Sequence, residues 1–333
     1  MGIALLALHA VTGAGAPAGE RPSVRKSAPA GIVWPAPPDP ARIRFIRTLD
    51  PTAAQGAPSL MKKMWRTLVG APEPIRMRQP YGIAVSADRK VYVADTASGT
   101  IHVYDLMKPG YAAIRAKATS LIGIAAEAGR LFVTDSVAGT VQALDLRGRV
   151  LWSLGPSAGF VRPTGIVAAR DRLYVVDTLR HTVVVVSLSG ERIGTFGSQG
   201  AGAGQFNYPT NIALGRDGRL YVTDAMNFRV QVFEPDGRFV VTFGRLGDGP
   251  GDLDKPKGVA LDSAGHVYVV EGLHDVVQIF DPSGRLLLVF GGSGSGDGQL
   301  WLPSGIAIAN DFVFVADSAN GRVQVYEYLR TGP

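Results

Sequence analysis

The chain has 333 residues, 46% of them apolar, with 42 glycines, 22 prolines and no cysteine. That is enough apolar material for a sizeable core broken by many turns, and it excludes disulfides, thiolate zinc sites and cysteine nucleophiles. The net charge of +6 is unevenly placed: residues 1–80 hold eleven Lys/Arg against four Asp/Glu, leaving 23 against 24 in residues 81–333, a balance of −1. A phosphate backbone needs a basic face, so a repeat body this close to neutral argues against nucleic acid as a partner.

The chain begins with an apolar run, Ile3 to Val11, followed by small residues including Ala16, Pro17 and Ala18. This pattern suits an export signal over residues 1–20, although no Lys or Arg precedes the run, and the run is too short to span a bilayer. Residues 21–40 are basic and then rich in proline, which implies a stiff linker or a strap along a surface. Residues 41–49 (Ala-Arg-Ile-Arg-Phe-Ile-Arg-Thr-Leu) alternate basic and apolar, the pattern of a strand with one wet face. Residues 58–70 have helical spacing, with Leu60, Met61, Met64, Trp65 and Leu68 on one face and Lys62, Lys63 and Arg66 on the other. Such a helix packs on its own domain or rests loosely on a membrane surface.

From Pro80 the chain repeats. Residues 208–244 show one unit: four short apolar segments, with Asp236-Gly237 forming the tight turn between the last two. The unit openings fall at Pro80, Leu121, Pro163, Pro209, Pro256 and Pro303, each followed two residues later by Gly, except that Asn211 stands there in the fourth unit. Every second segment ends in an acid: Asp95, Asp135, Asp177, Asp224, Glu271 and Asp317, with steps of 40, 42, 47, 47 and 46. Four strands on such a period mean a β-propeller, and six copies mean six blades. The sixth copy stops after its third strand, near Leu329. Arg44-Phe-Ile-Arg-Thr-Leu49 resembles the fourth strand Arg238-Phe-Val-Val-Thr-Phe243, so residues 41–49 are expected to complete the last blade and close the ring. The expected fold is all-β: a six-bladed propeller of four-stranded antiparallel blades over residues 41–330.

The repeat resembles the NHL family of propeller repeats. The resemblance rests on Val91–Thr96, on Tyr221–Phe233 with its Asp-Ala-Met-Asn-Phe-Arg, on Ala316–Tyr326 with its Asp-Ser-Ala-Asn-Gly-Arg, and on the Gly-rich loop ending in Gln205-Phe206. Copies one to three and five lack the Asn-x-Arg after the acid. The order of apolar start, Pro-rich strap and propeller is similar to exported bacterial NHL propellers, which implies a periplasmic or cell-envelope location.

Function is less legible. The Gly-x-Gly-x-Gly loops at 197–208, 244–255 and 291–302 suggest a phosphate cradle, but a strand follows where a dinucleotide site needs a helix. In propellers these loops share a face with the loops after the second strands, around the channel mouth. Phe206, Tyr208, Leu300 and Trp301 are expected to put apolar bulk on that face. The recurrent acids are expected to be structural, accepting hydrogen bonds from the following loop. The candidate ligand set is what does not recur: Arg180, His181, Asn211, Asn227, Glu271, His274, Asp275, Trp301 and Asn320.

The NHL resemblance also implies two enzyme alternatives. One is a zinc lyase, for which only His181 and His274 among five histidines are well placed; the other is a lactonase-like cation site built on Glu271, Asn211 and Asp224. No serine stands in a nucleophile elbow. The expectation is therefore a monomeric binding or scaffolding propeller without a cofactor, holding a protein, peptide or small ligand on its loop-rich face, with a divalent-cation hydrolase or lyase as the alternative.

Overall fold

A computed structural model describes residues 31–54, 75–108 and 110–330. The expected export signal, the basic half of the Pro-rich segment and the helix expected near 58–70 lie outside these residues. A single turn of helix, Pro51–Ala54, is described just after the first long strand.

Six antiparallel sheets follow one another around a ring. Blade one runs Pro80–Val85, Lys90–Asp95, Thr100–Asp105 and Tyr111–Arg115. The inner strands of blades two to six are Leu121–Glu127, Pro163–Ala168, Pro209–Leu214, Pro256–Leu261 and Ile306–Ala309. The second strand of each blade ends on its acid, and the third is bracketed by short turns. Both faces of every middle strand are covered, so segments such as Leu173–Val176 and Val183–Val186 are continuously apolar and buried. The core is divided into six apolar clusters, each lying between neighbouring blades.

The inner strands approach one another closely at the recurrent glycine. A Cβ added to Gly305 would lie 2.0 Å from the Tyr81 carbonyl oxygen, and one on Gly123 would lie 2.1 Å from that of Thr164. Gly82 and Gly258 meet the next blade's backbone in the same way. The glycine is therefore required by close backbone approach around the channel rather than by an unusual φ.

Ring closure follows the expected route. Strand Ile43–Leu49 pairs antiparallel with Arg322–Tyr328, Ile43 opposite Tyr328 and Leu49 opposite Val323, and completes blade six. Its register shifts between Phe45 and Arg47. This bulge swaps the faces, so the strand does not keep one wet side. Ile43 and Phe45 pack in the cluster between blades five and six, and Leu49 in the one between blades six and one.

The Pro-rich stretch contributes more than a connection. Val33–Trp34 forms a fifth strand on the edge of blade six, paired with Arg44 and Ile43. The Trp34 ring lies 5.7 Å from Tyr326 and 5.9 Å from Phe290, sealing the junction between the last two blades.

Candidate functional site

The recurrent acids come first, because they fix the loop-rich face. All six side chains are buried, Asp135 being the most accessible at 3%. Each accepts backbone N–H bonds from the segment leading into its blade's inner strand. Asp177 takes those of Val161 (2.8 Å) and Arg162 (2.9 Å), and Glu271 takes those of Asp254 (3.0 Å) and Lys255 (2.7 Å). Asp95, Asp135 and Glu271 also hold the loop that follows them. A buried carboxylate bound by several N–H groups is a structural clamp.

At Asp95 the clamp has a further partner: buried His102 Nε2 lies 3.3 Å from Oδ2, and its Nδ1 lies 2.8 Å from the Tyr111 hydroxyl. Burial alone would raise the Asp95 pKa. The bonds from His102 and from the Arg78 and Gln79 N–H groups outweigh it and hold the group at about 2.

In blades four and six the clamp carries an ion pair. Arg229 Nε meets Asp224 at 2.8 Å and Arg322 Nε meets Asp317 at 2.7 Å, while Asn227 and Asn320 bond both to the acid and to a glycine carbonyl, Gly200 or Gly294. Two expected ligand residues, Asn227 and Asn320, thus spend their amides tying the glycine-rich loops to the blade. Buried glutamines of the third strands hold the same loops, Gly204 N–H to Gln231 and Gly251 N–H to Gln278, each at 3.0 Å. The loops do not cradle a phosphate. Gly202 N–H donates to the loop's own Gln205 amide oxygen at 3.0 Å, and a Cβ on Gly200 would lie 2.3 Å from that oxygen. Gln299 fills the loop before blade six in the same way.

His181 and Asp275 hold equivalent places, both at positive φ just after a second strand. His181 Nδ1 accepts the Tyr208 N–H at 3.1 Å; Asp275 Oδ1 accepts the Leu302 N–H at 2.7 Å. Both latch one blade to the lead-in of the next. Phe206 and Leu300, expected on the face, are fully buried. Tyr208 and Trp301 remain exposed, at 42% and 54%. Arg180 and His274 are exposed in the loops after their second strands. Asn211 lines the channel and accepts the Ile212 N–H.

The channel mouth is a cavity of about 790 Å³. In blades one to five, the residue before the channel glycine (or before Asn211) lines it: Tyr81, Ile122, Thr164, Thr210 and Lys257; the equivalent Ser304 of blade six is buried. Behind this ring, the residue after the acid bridges to the next blade in blades one, three and six. Thr96 donates to Leu121 O (2.9 Å), Thr178 to Pro209 O (2.7 Å) and Ser318 to Pro80 O (2.6 Å).

Blade two turns Ser136 to Ser120 Oγ instead, blade four has Ala225 with no hydroxyl, and blade five makes the bridge with a different residue. The bridging position is Gly272, and Lys257 Nζ instead donates to Pro303 O at 3.0 Å. A Cβ on Gly272 would lie 2.5 Å from Lys257 Cε, so the lysine occupies the space of the missing hydroxyl side chain. Burial lowers the Lys257 pKa and nearby Lys255 lowers it further, against the opposing pull of Asp275 and Glu271. Across the mouth, burial raises the Tyr81 phenol and Arg162 partly offsets it. The reading of the sequence missed Lys257. Its one signal was a charged residue at a ring position that is uncharged in the other five copies.

The rim is apolar. Two residues past the acid stand Val137, Leu179, Met226 and Leu273 in blades two to five, at 70%, 43%, 53% and 53% exposure. Equivalent positions in successive blades put all four on the loop-rich face, with Tyr208, Trp301 and Leu302 beside them.

A divalent cation does not fit the residues proposed for it. Glu271 and Asp224 are buried, with their carboxylates engaged by N–H donors. Among the described residues no three His, Asp or Glu side chains converge.

The NHL repeat family matches residues 206–233 and 300–326, the stretches that carry the Asn-x-Arg clamps of blades four and six. No curated protein matches the sequence. Among solved structures, virginiamycin B lyase from Staphylococcus aureus is similar, with 14% identity over 77% of this chain and 98% of the lyase, at a TM-score of 0.58. A gluconolactonase from Xanthomonas campestris shows 17% identity over 76% of this chain and 87% of its own, at 0.59. A chain of the nidogen/laminin complex shows 21% over 72% and 86%, at 0.55. At these identities the likeness is one of fold.

Proposed function

We propose that this chain, a six-bladed propeller carrying NHL repeats, is a binding module that docks a partner protein on its loop-rich face. The observation that supports this most is the apolar crown: Val137, Leu179, Met226 and Leu273 exposed at one position in four consecutive blades. Isolated exposed apolar residues are ordinary, whereas apolar residues repeated at one position on one face of four consecutive blades suit an interaction surface. Each such side chain offers about 1.5–3 kcal/mol on full burial, and exposed Trp301 and Tyr208 beside them are the residue types that dominate interface energetics. The rigid clamps beneath keep the crown in place, so little ordering is needed on docking. The fold is shared with a protein of the nidogen/laminin complex, and a partner-binding role comes to this chain by that analogy together with the crown.

Export to the periplasm or envelope belongs to the same proposal, supported by the apolar start and Ala16-Pro17-Ala18. Terminal sequencing of protein recovered from cell fractions tests it.

Co-purification from the native host tests the docking. The parent chain is expected to retain a stoichiometric partner that the Leu179→Glu, Leu273→Glu double variant loses at an unchanged melting temperature. Equal retention by both would refute it.

A further inference from the structure

We infer that the channel mouth binds a small organic anion, a carboxylate on an apolar body, with the carboxylate held by Lys257 and by Arg162 and Lys255 beside it. The inference goes beyond partner docking, and its probe is a small molecule alone, so either reading can fail without the other.

Where blades one, three and six bridge to the next blade with a Thr or Ser hydroxyl, blade five uses an ammonium group. One of the three Lys257 N–H donors makes the bridge to Pro303, leaving two and the charge at the cavity. A hydroxyl makes the same bond without burying a charge, so the inter-blade bond does not by itself account for a lysine.

Arg162, Lys255 and Lys257 all line the mouth, and among the described residues none of them forms a salt bridge, whereas ten other arginines do. Asp254 lines the same cavity, and Glu271 and Asp275 lie near the lysine. The carboxylates of Glu271 and Asp275 offset part of the charge, but their oxygens are already bound by backbone N–H groups and the Ser293 hydroxyl, so the cationic donors at the mouth are left without a carboxylate partner.

A cavity of about 790 Å³ falls within the 300–1,000 Å³ typical of small-molecule sites, which pair an apolar wall with a few convergent polar groups. Here Tyr81, Ile122, Tyr208 and Met226 supply the wall.

The test is isothermal titration calorimetry of the full chain with 2-naphthoate and with 2-naphthamide, its neutral counterpart. The naphthoate is expected to bind at least about tenfold more tightly than the amide, the scale of a charged hydrogen bond. Lys257→Met should weaken naphthoate by at least about tenfold and leave the amide within about twofold. Arg162→Gln, at an exposed position, should weaken naphthoate less and leave the melting temperature unchanged. Absence of naphthoate binding, or equal binding of acid and amide by the unaltered chain, overturns the inference whether or not the lysine variant folds. Unchanged naphthoate affinity in both variants overturns it as well.

Discussion

His181 Nδ1 accepts the backbone N–H of Tyr208 at 3.1 Å, and the two rings meet edge to face with centroids 4.9 Å apart. The histidine sits at φ 56°, a left-handed conformation that Asn tolerates far better than Ala does. His181→Ala therefore loses an acceptor for a part-buried N–H, a ring contact and a comfortable backbone at once. We expect a loss of about 1–3 kcal/mol in urea denaturation. His181→Asn, which keeps an acceptor and tolerates the backbone, should lose less. No loss in His181→Ala would mean that the latch carries no energy.

The acid clamp of blade one has a pH signature. The Asp95 pKa falls from an ordinary 3.8 to about 2 in the folded chain, because the bonds from His102 and two backbone N–H groups outweigh burial. A depressed carboxylate contributes stability that is present above pH 4 and is lost as the pH falls towards 2; a shift of this size is worth about 2 kcal/mol. Denaturant midpoints from pH 6 to pH 2 should fall more steeply in the parent than in Asp95→Asn. Parallel curves would contradict the assignment.

Close approach around the channel is tested at two glycines. Gly305→Ala would put a Cβ 2.0 Å from the Tyr81 carbonyl, so the inner strands of blades six and one must separate. A loss of about 3 kcal/mol or more is expected, or failure to fold. Gly194→Ala, with nothing within 4 Å of the new atom and no positive φ, should stay within about 0.5 kcal/mol. Calorimetric melting of the two variants compares them.

Ring closure predicts a contrast between truncations. Removing residues 1–30 leaves every described pairing intact. Removing 1–49 strips blade six of Val33–Trp34 and Ile43–Leu49, baring the Arg322–Tyr328 edge and taking fully buried Ile43 and nearly buried Leu49 out of two clusters. At about 1.5–3 kcal/mol for each core side chain, the longer truncation should melt far lower and aggregate through the bare edge. Similar melting temperatures and solubility would mean that the ring closes without this strand.

The architecture was legible because it repeats. The acid ending each second strand and the glycine two residues into most units each reported one physical need, and the likeness of 44–49 to a fourth strand located the closing strand, although its bulge breaks the alternation expected there. Val33–Trp34 was not legible, since two residues among prolines carry no period; what fixes them is the groove between Phe290 and Tyr326, built by distant segments. The ligand candidates were harder still. Asn227, Glu271 and Asn320 look in sequence like free polar groups, and only the fold shows backbone groups and neighbouring side chains using their atoms. Lys257 looks like an ordinary lysine until Gly272 is seen to leave it room.

The most direct measurement of the account is site-specific photo-crosslinking in the native host. A photoreactive side chain placed at Leu273 on the crown is compared with one at Arg149, which is exposed between the outer strands at the opposite end of its blade. Docking on the loop-rich face predicts a discrete crosslinked species from Leu273 and none from Arg149. A species from Arg149 alone, or from neither position, would contradict it.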